Sequence, residues 1–193
     1  VRPAVTATTA DGHRLEVAAP AEAARHHAIE LVGLRAEQTY SIALSGEPDL
    51  VTAGEDLSFT TEPLPEDLPD VVVEASDRAT PGVTLFNASA GDSSVEHPGN
   101  LIAVDETGEV VWYHQAARSM ADVRRLDDGT ILYNHDSTGA RQIDLMGNPV
   151  AEWTTSSRVA AGQYSDDGDE LYADDAVVLD TVRLHHEVAF ELP

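Results

Sequence analysis

Apolar and polar residues alternate along this chain in short runs, and the period is two rather than the 3.6 of a helix. Ala28-Ile29-Glu30-Leu31-Val32, Thr39-Tyr40-Ser41-Ile42-Ala43-Leu44 and Leu57-Ser58-Phe59-Thr60-Thr61 are β-prone and bounded by glycine, proline or acidic residues. Each predicts a strand. Pro20-Ala21-Glu22-Ala23-Ala24-Arg25 has a helical composition but is too short to hold a helix alone, so it reads as a turn.

A repeat follows. Ala103-Val104-Asp105-Glu106-Thr107-Gly108-Glu109-Val110-Val111-Trp112 has a counterpart in Gln142-Ile143-Asp144-Leu145-Met146-Gly147-Asn148-Pro149-Val150. Each is a strand, a four-residue turn with glycine third, and a returning strand that ends near a tryptophan, Trp112 or Trp153. The two glycines stand 39 residues apart. Between them, Leu126-Asp127-Asp128-Gly129-Thr130-Ile131-Leu132-Tyr133 supplies another tight hairpin. Two hairpins in a period of about 40 residues is the pattern of a four-stranded propeller blade. Pro63, Pro65 and Pro69 punctuate the residues ahead of this region. Proline lacks a backbone donor and stiffens the chain, so a semi-rigid linker is expected there. The predicted organisation is a β-sandwich over 1–62, a linker over 63–70, and part of a β-propeller over 71–193. Antiparallel sheets and almost no helix are expected after residue 71. The pattern at Phe190-Glu191-Leu192-Pro193 stops within a strand, so further blades are expected beyond it.

Charge narrows the partners. Thirty-five acidic residues face 11 basic ones, a formal net charge of −24, and arginine supplies every fixed cation. Such a field repels nucleic acid and anionic membrane surfaces, so neither is an expected partner. Acid spread along the whole chain fits a protein kept soluble at high ionic strength, and a halophilic setting is expected; a GC-rich genome is the plainer source of the same composition. Cysteine is absent, which removes a disulfide framework and thiolate metal sites. No apolar run is long enough for a membrane-spanning helix.

Two resemblances add to this reading. Leu31-Val32-Gly33-Leu34 followed by Thr39-Tyr40 resembles the loop and strand of a fibronectin type III domain. It implies Leu34 beneath the loop and Tyr40 as a corner residue bonded back to backbone. Phe59-Thr60-Thr61, Pro63-Leu64-Pro65, Thr84-Leu85-Phe86, Leu101-Ile102-Ala103-Val104-Asp105, Val110-Val111-Trp112-Tyr113 and His185-His186-Glu187-Val188 occur in an order that resembles the bacterial aryl-sulfate sulfotransferases. That resemblance implies a small sandwich ahead of a propeller. It also implies transfer of a sulfuryl group from a phenolic sulfate ester to a phenol through a histidine, in the full-length protein only. No cofactor and no metal are implied. The small phenolic sulfate and phenol would be the partners, with a protein partner or homo-oligomer left open, in an extracellular, cell-surface or periplasmic setting. The alternative is a non-catalytic extracellular binding or structural protein.

The resemblance carries one motif, a histidine followed by an acid and an apolar strand. Leu184, His186, Val188 and Phe190 share one strand face, and His185, Glu187 and Glu191 share the other. The first face is apolar, which selects His186 as the histidine that matches the motif; the resemblance implies that it contacts the sulfate and supports the reaction, rather than acting as the nucleophile. Arg183 is a substrate-binding candidate that could steer an anion; the plain reading pairs it with Asp180 or Glu187. The acidic stretch Asp166-Asp167-Gly168-Asp169-Glu170 with Asp174-Asp175 reads as a solvated loop ahead of a calcium site. His26 and His27, adjacent in a strand, face opposite ways and share no metal. His97, His114 and His135 are placed at turns or strand ends, and Trp112 and Trp153 read as packing residues.

Overall fold

The computed structural model describes residues 2–19, 25–47, 57–73, 80–89, 99–116, 119–135, 137–160 and 176–184. Apart from one five-residue helix, all described regular structure is strand, so the fold is all-β. The chain divides into two compact units, Val1–Leu68 with Glu109–Trp112, and Pro69–Gly108 with Tyr113–Pro193.

The first unit holds one antiparallel sheet. Strands β1 (Arg2–Thr9), β2 (Arg14–Ala18), β3 (Thr39–Glu47) and β4 (Leu57–Thr60) lie in the order β2-β1-β3-β4. Register puts Val17, Leu15, Val5, Ala7, Ile42, Tyr40, Leu57 and Phe59 on one face, and that face is the apolar one. Tyr40 is fully buried, stacks on Phe59 at 5.7 Å between ring centroids, and accepts a 2.9 Å bond from Arg35 N on its phenol oxygen. This tie fixes the loop that enters β3. Ala28 to Val32, expected as a strand, is irregular. A strand needs a ladder partner, and among the described residues none pairs with it. His26 and His27 therefore lie outside any strand as well. Pro20 to Ala24 fall outside the described residues. In the proline-punctuated segment, Leu68 N closes a turn onto Pro65 O at 3.1 Å, and Leu68 is buried.

Two further sheets follow, all of their strands in the second unit except Val110 to Trp112 at the start of β7. Strands β5 (Thr84–Ser89), β6 (Gly99–Val104) and β7 (Val110–Ala116) lie in the order β5-β6-β7. Strands β8 (Met120–Arg125), β9 (Ile131–His135), β10 (Gly139–Ile143) and β11 (Pro149–Thr155) form an antiparallel meander. Every residue of β6 is buried, as are Ile131 to Asn134 in β9. Strands covered on both faces have no polar side to present, hence the unbroken apolar run Leu101-Ile102-Ala103-Val104.

The expectation of antiparallel pairing throughout fails at one place. After β11 come helix α1 (Ser156–Ala160) and strand β12 (Val177–Leu179), and β12 pairs with β11 in parallel. A parallel partner needs a crossover rather than a tight turn, and the chain from Ser156 to Ala176 is long enough to supply one.

The hairpin turns share one design. Gly108 N, Gly129 N and Gly147 N each donate at 3.0 Å to the carbonyl three residues back, at Asp105, Leu126 and Asp144. Their φ values are +90°, +89° and +84°, the left-handed position that closes a three-residue hairpin loop with a glycine bulge. Asp105 and Asp144 occupy the same place in their turns, and each carboxylate accepts the backbone N–H two residues on, at 2.9 Å.

Counting back from these two aspartates shows how far the repeat reaches. Leu85, Phe86 and Asn87 pair with Ala103, Ile102 and Leu101, while Leu132, Tyr133 and Asn134 pair with Gln142, Arg141 and Ala140. A leucine, an aromatic residue and an asparagine thus occupy matching registers on β5 and β9. The two asparagines serve the same irregularity. Register shifts in β8 between Met120 and Val123, which takes backbone groups out of the ladder. Asn134 Oδ1 accepts Asp122 N at 2.6 Å, and Asn87 Nδ2 donates to Met120 O at 2.9 Å.

Candidate functional site

His186, His185 and Glu187 lie outside the described residues, as do the acidic stretch 166–175 and His97. Arg183 follows β12 in an irregular segment with its side chain exposed. It pairs with no acid among the described residues, Asp180 included. Of the two sequence-selected residues, only Arg183 is among the described ones. The structure also places Leu184, the residue before the motif. Leu184 N donates to Ser137 O at 2.7 Å, in the connection between β9 and β10. Beside it, Arg158 of α1 is buried and gives a 2.6 Å bond from Nη1 to the Thr138 hydroxyl.

The densest polar arrangement lies elsewhere in the second unit. Tyr133 on β9 is cross-strand from Arg141 on β10, which is cross-strand from Glu152 on β11. Arg141 Nε lies 2.5 Å from Glu152 Oε1, with the N–H not aligned on the carboxylate oxygen. The arginine also hydrogen-bonds Tyr133. On the first sheet, β7 brings up His114, whose Nε2 sits 3.3 Å from the Tyr133 hydroxyl with the rings tilted at 50°. The β10–β11 turn closes from the other side: a Cβ on Gly147 would stand 3.2 Å from His114 Nδ1. His114 is thus the fifth residue of a seven-residue strand, not at a turn or strand end as expected from sequence. His135 does end β9.

Electrostatics make this a quiet network. Burial holds the His114 imidazole below its usual pKa, and the nearby Arg141 guanidinium adds to the effect. Burial likewise pushes the Tyr133 phenol up. Both are neutral at physiological pH, and the one cation and one anion neutralise each other. Tyr133 is 1% exposed and Glu152 8%, and the arrangement fastens one sheet to the other. Sequence reasoning missed it because the four residues lie on four strands. The signal was distance from the turns: Tyr133 and Arg141 are equidistant from Ser137, and Arg141 and Glu152 nearly so from Gly147.

Among the described residues no group of three or more potential ligands is placed to hold a metal, and no helix is long and apolar enough to cross a membrane. No curated protein matches the chain significantly. A family model described as arylsulfotransferase (ASST) matches residues 70–191, a span that takes in both sheets of the second unit and the His-His-Glu motif. With well over half of its length accounted for by that one model, the chain belongs to the arylsulfotransferase family.

Proposed function

We propose that the whole protein is an aryl-sulfate sulfotransferase, in which the second unit supplies the first blades of a β-propeller and His186 contacts the transferring sulfate. The observation that carries this is the family match over residues 70–191, which includes the histidine motif. The register-matched repeat of β5–β7 in β9–β11 supports the blade reading. The order β2-β1-β3-β4 and the Tyr40 corner support one sheet of a fibronectin-like sandwich in the first unit.

In the proposed reaction the bond from sulfur to the aryl oxygen breaks and the phenolate leaves with the electron pair. A neutral histidine nitrogen bonds to the sulfur; the oxygen of a second phenol then takes the sulfuryl group as the N–S bond breaks, and its O–H proton ends on the released phenolate. The transition state spreads negative charge over the sulfuryl oxygens, so donors and cations fixed before the reaction do most of the catalytic work. His186 takes that part, and Arg183 draws the anion toward it. A propeller channel gathers such groups only when its ring is closed, so the activity belongs to the whole protein rather than to this stretch alone. Extracellular, cell-surface or periplasmic operation and a halophilic setting accompany the reading.

The test is transfer from a chromogenic phenyl sulfate to a phenol acceptor by the full chain, with circular dichroism as the folding control. His186→Ala should lower turnover at least a hundredfold with the fold intact, and His185→Ala far less. An inactive parent protein would favour the non-catalytic binding role. A crippling His185→Ala would reverse the assignment of strand faces.

A further inference from the structure

Residues 181–184 form no strand, yet four consecutive residues there have a backbone group held. The Ser156 hydroxyl donates to Thr181 O at 3.2 Å, and the Ser157 hydroxyl donates to Val182 O at 2.7 Å. The Thr181 hydroxyl donates to Arg183 O at 3.2 Å, and Leu184 N donates to Ser137 O at 2.7 Å. Thr155 Oγ1 lies 3.0 Å from Ser157 Oγ, which ties the second of these hydroxyls to β11. The side that holds is itself held: Thr155 N donates to Thr138 O at 2.9 Å, and Arg158 reaches the Thr138 hydroxyl.

Irregular backbone without a ladder opens easily, because few of its groups are protected by neighbours. Hydroxyls at the start of a helix ordinarily turn inward to accept that helix's first N–H groups. Here two of them donate outward to carbonyls 25 residues further along the chain. The segment they hold leads directly into His185-His186-Glu187.

We infer that Ser156, Ser157 and the Ser137 carbonyl form a positioning clamp, fixing the backbone from which the His-His-Glu motif departs so that His186 meets the sulfuryl group in register. The inference rests on the sulfuryl-transfer reading. These residues touch no substrate and act only through His186. A misplaced reacting group loses transition-state contacts while substrate binding is largely kept, so the clamp governs kcat more than KM.

The experiment compares the full chain with Ser156→Ala/Ser157→Ala and Ser156→Thr/Ser157→Thr, by amide hydrogen exchange at Leu184 and by aryl-sulfate turnover. The alanine pair should speed exchange at Leu184 about tenfold or more and lower kcat about tenfold to a hundredfold, with KM within about twofold. The threonine pair, which keeps both hydroxyls, should restore both. Unchanged exchange in the alanine pair overturns the clamp. So does faster exchange alongside an undiminished kcat, or failure of the threonine pair to restore either. A parent without turnover overturns the sulfuryl-transfer reading instead, and the exchange rates alone then decide whether the clamp exists.

Discussion

His114 shows how one side chain can make the second unit sensitive to acid. Its imidazole faces the Tyr133 phenol and the Arg141 guanidinium, with Glu152 behind the arginine. Burial and then the arginine depress its pKa, so protonation is easier in the unfolded chain than in the folded one. The contribution is therefore full above the ordinary imidazole value of 6.5 and is lost as pH falls below it toward the depressed folded value. The melting temperature of the parent should drop more between pH 7 and 5.5 than that of His114→Gln, which cannot take up the proton. Parallel curves for the two proteins would show that His114 is not the titrating group. Tyr40 was legible in the sequence at this scale because its role depends on a local spacing, five residues from Arg35. His114 was not, because its partners come from strands that only the fold brings near.

Among the elements, the glycine turns were the most legible and the strand faces the least. Gly108, Gly129 and Gly147 stand where a three-residue loop needs a positive φ, and turn chemistry is written in consecutive residues. Their surroundings separate them. A Cβ on Gly108 would fall 2.8 Å from Val73 Cβ, whereas one on Gly129 would meet only the flexible end of Arg125 at 3.8 Å. Gly129→Ala should cost about 1–2 kcal/mol for the left-handed backbone. Gly108→Ala should cost about 1–3 kcal/mol more, because Val73 Cβ is fixed to its backbone and the backbone must shift. Equal losses in denaturant melts would show that the contact with Val73 is soft. The longer repeat was hidden by unequal connections. Asn87 and Leu101, partners across β5 and β6, stand 14 residues apart, but Asn134 and Ala140, partners across β9 and β10, stand six apart. Bulges limit counting by twos. Met120 and Val123 oppose His135 and Tyr133, so they share a face despite odd spacing. The choice of His186 over His185 used that same parity, which is why both variants belong in the test.

At the scale of the whole molecule, charge sets the response to solvent. With a formal charge of −24, the compact state gathers like charges that the unfolded chain spreads apart. Added salt screens that repulsion over a Debye length of about 10 Å at 0.1 M and about 3 Å at 1 M. The melting temperature should rise as sodium chloride goes from low to molar concentration; a flat or falling trend would mean that specific ion pairs such as Arg141–Glu152 outweigh the general field. The all-β class and the family were legible because alternation and ordered motifs survive without coordinates. The parallel strand was not, since a three-residue edge carries too little pattern to declare its partner. That strand also bears on the order in which the protein takes shape as it leaves the ribosome. β8 to β11 are joined by short connections, so each hairpin can close soon after it is synthesised. β12 finds β11 only once the chain from Ser156 to Ala176 has emerged, and non-local pairings close more slowly than local ones. During that interval the outer edge of β11 is open to any other strand nearby, so the crossover sets how long a nascent chain stays exposed to mispairing.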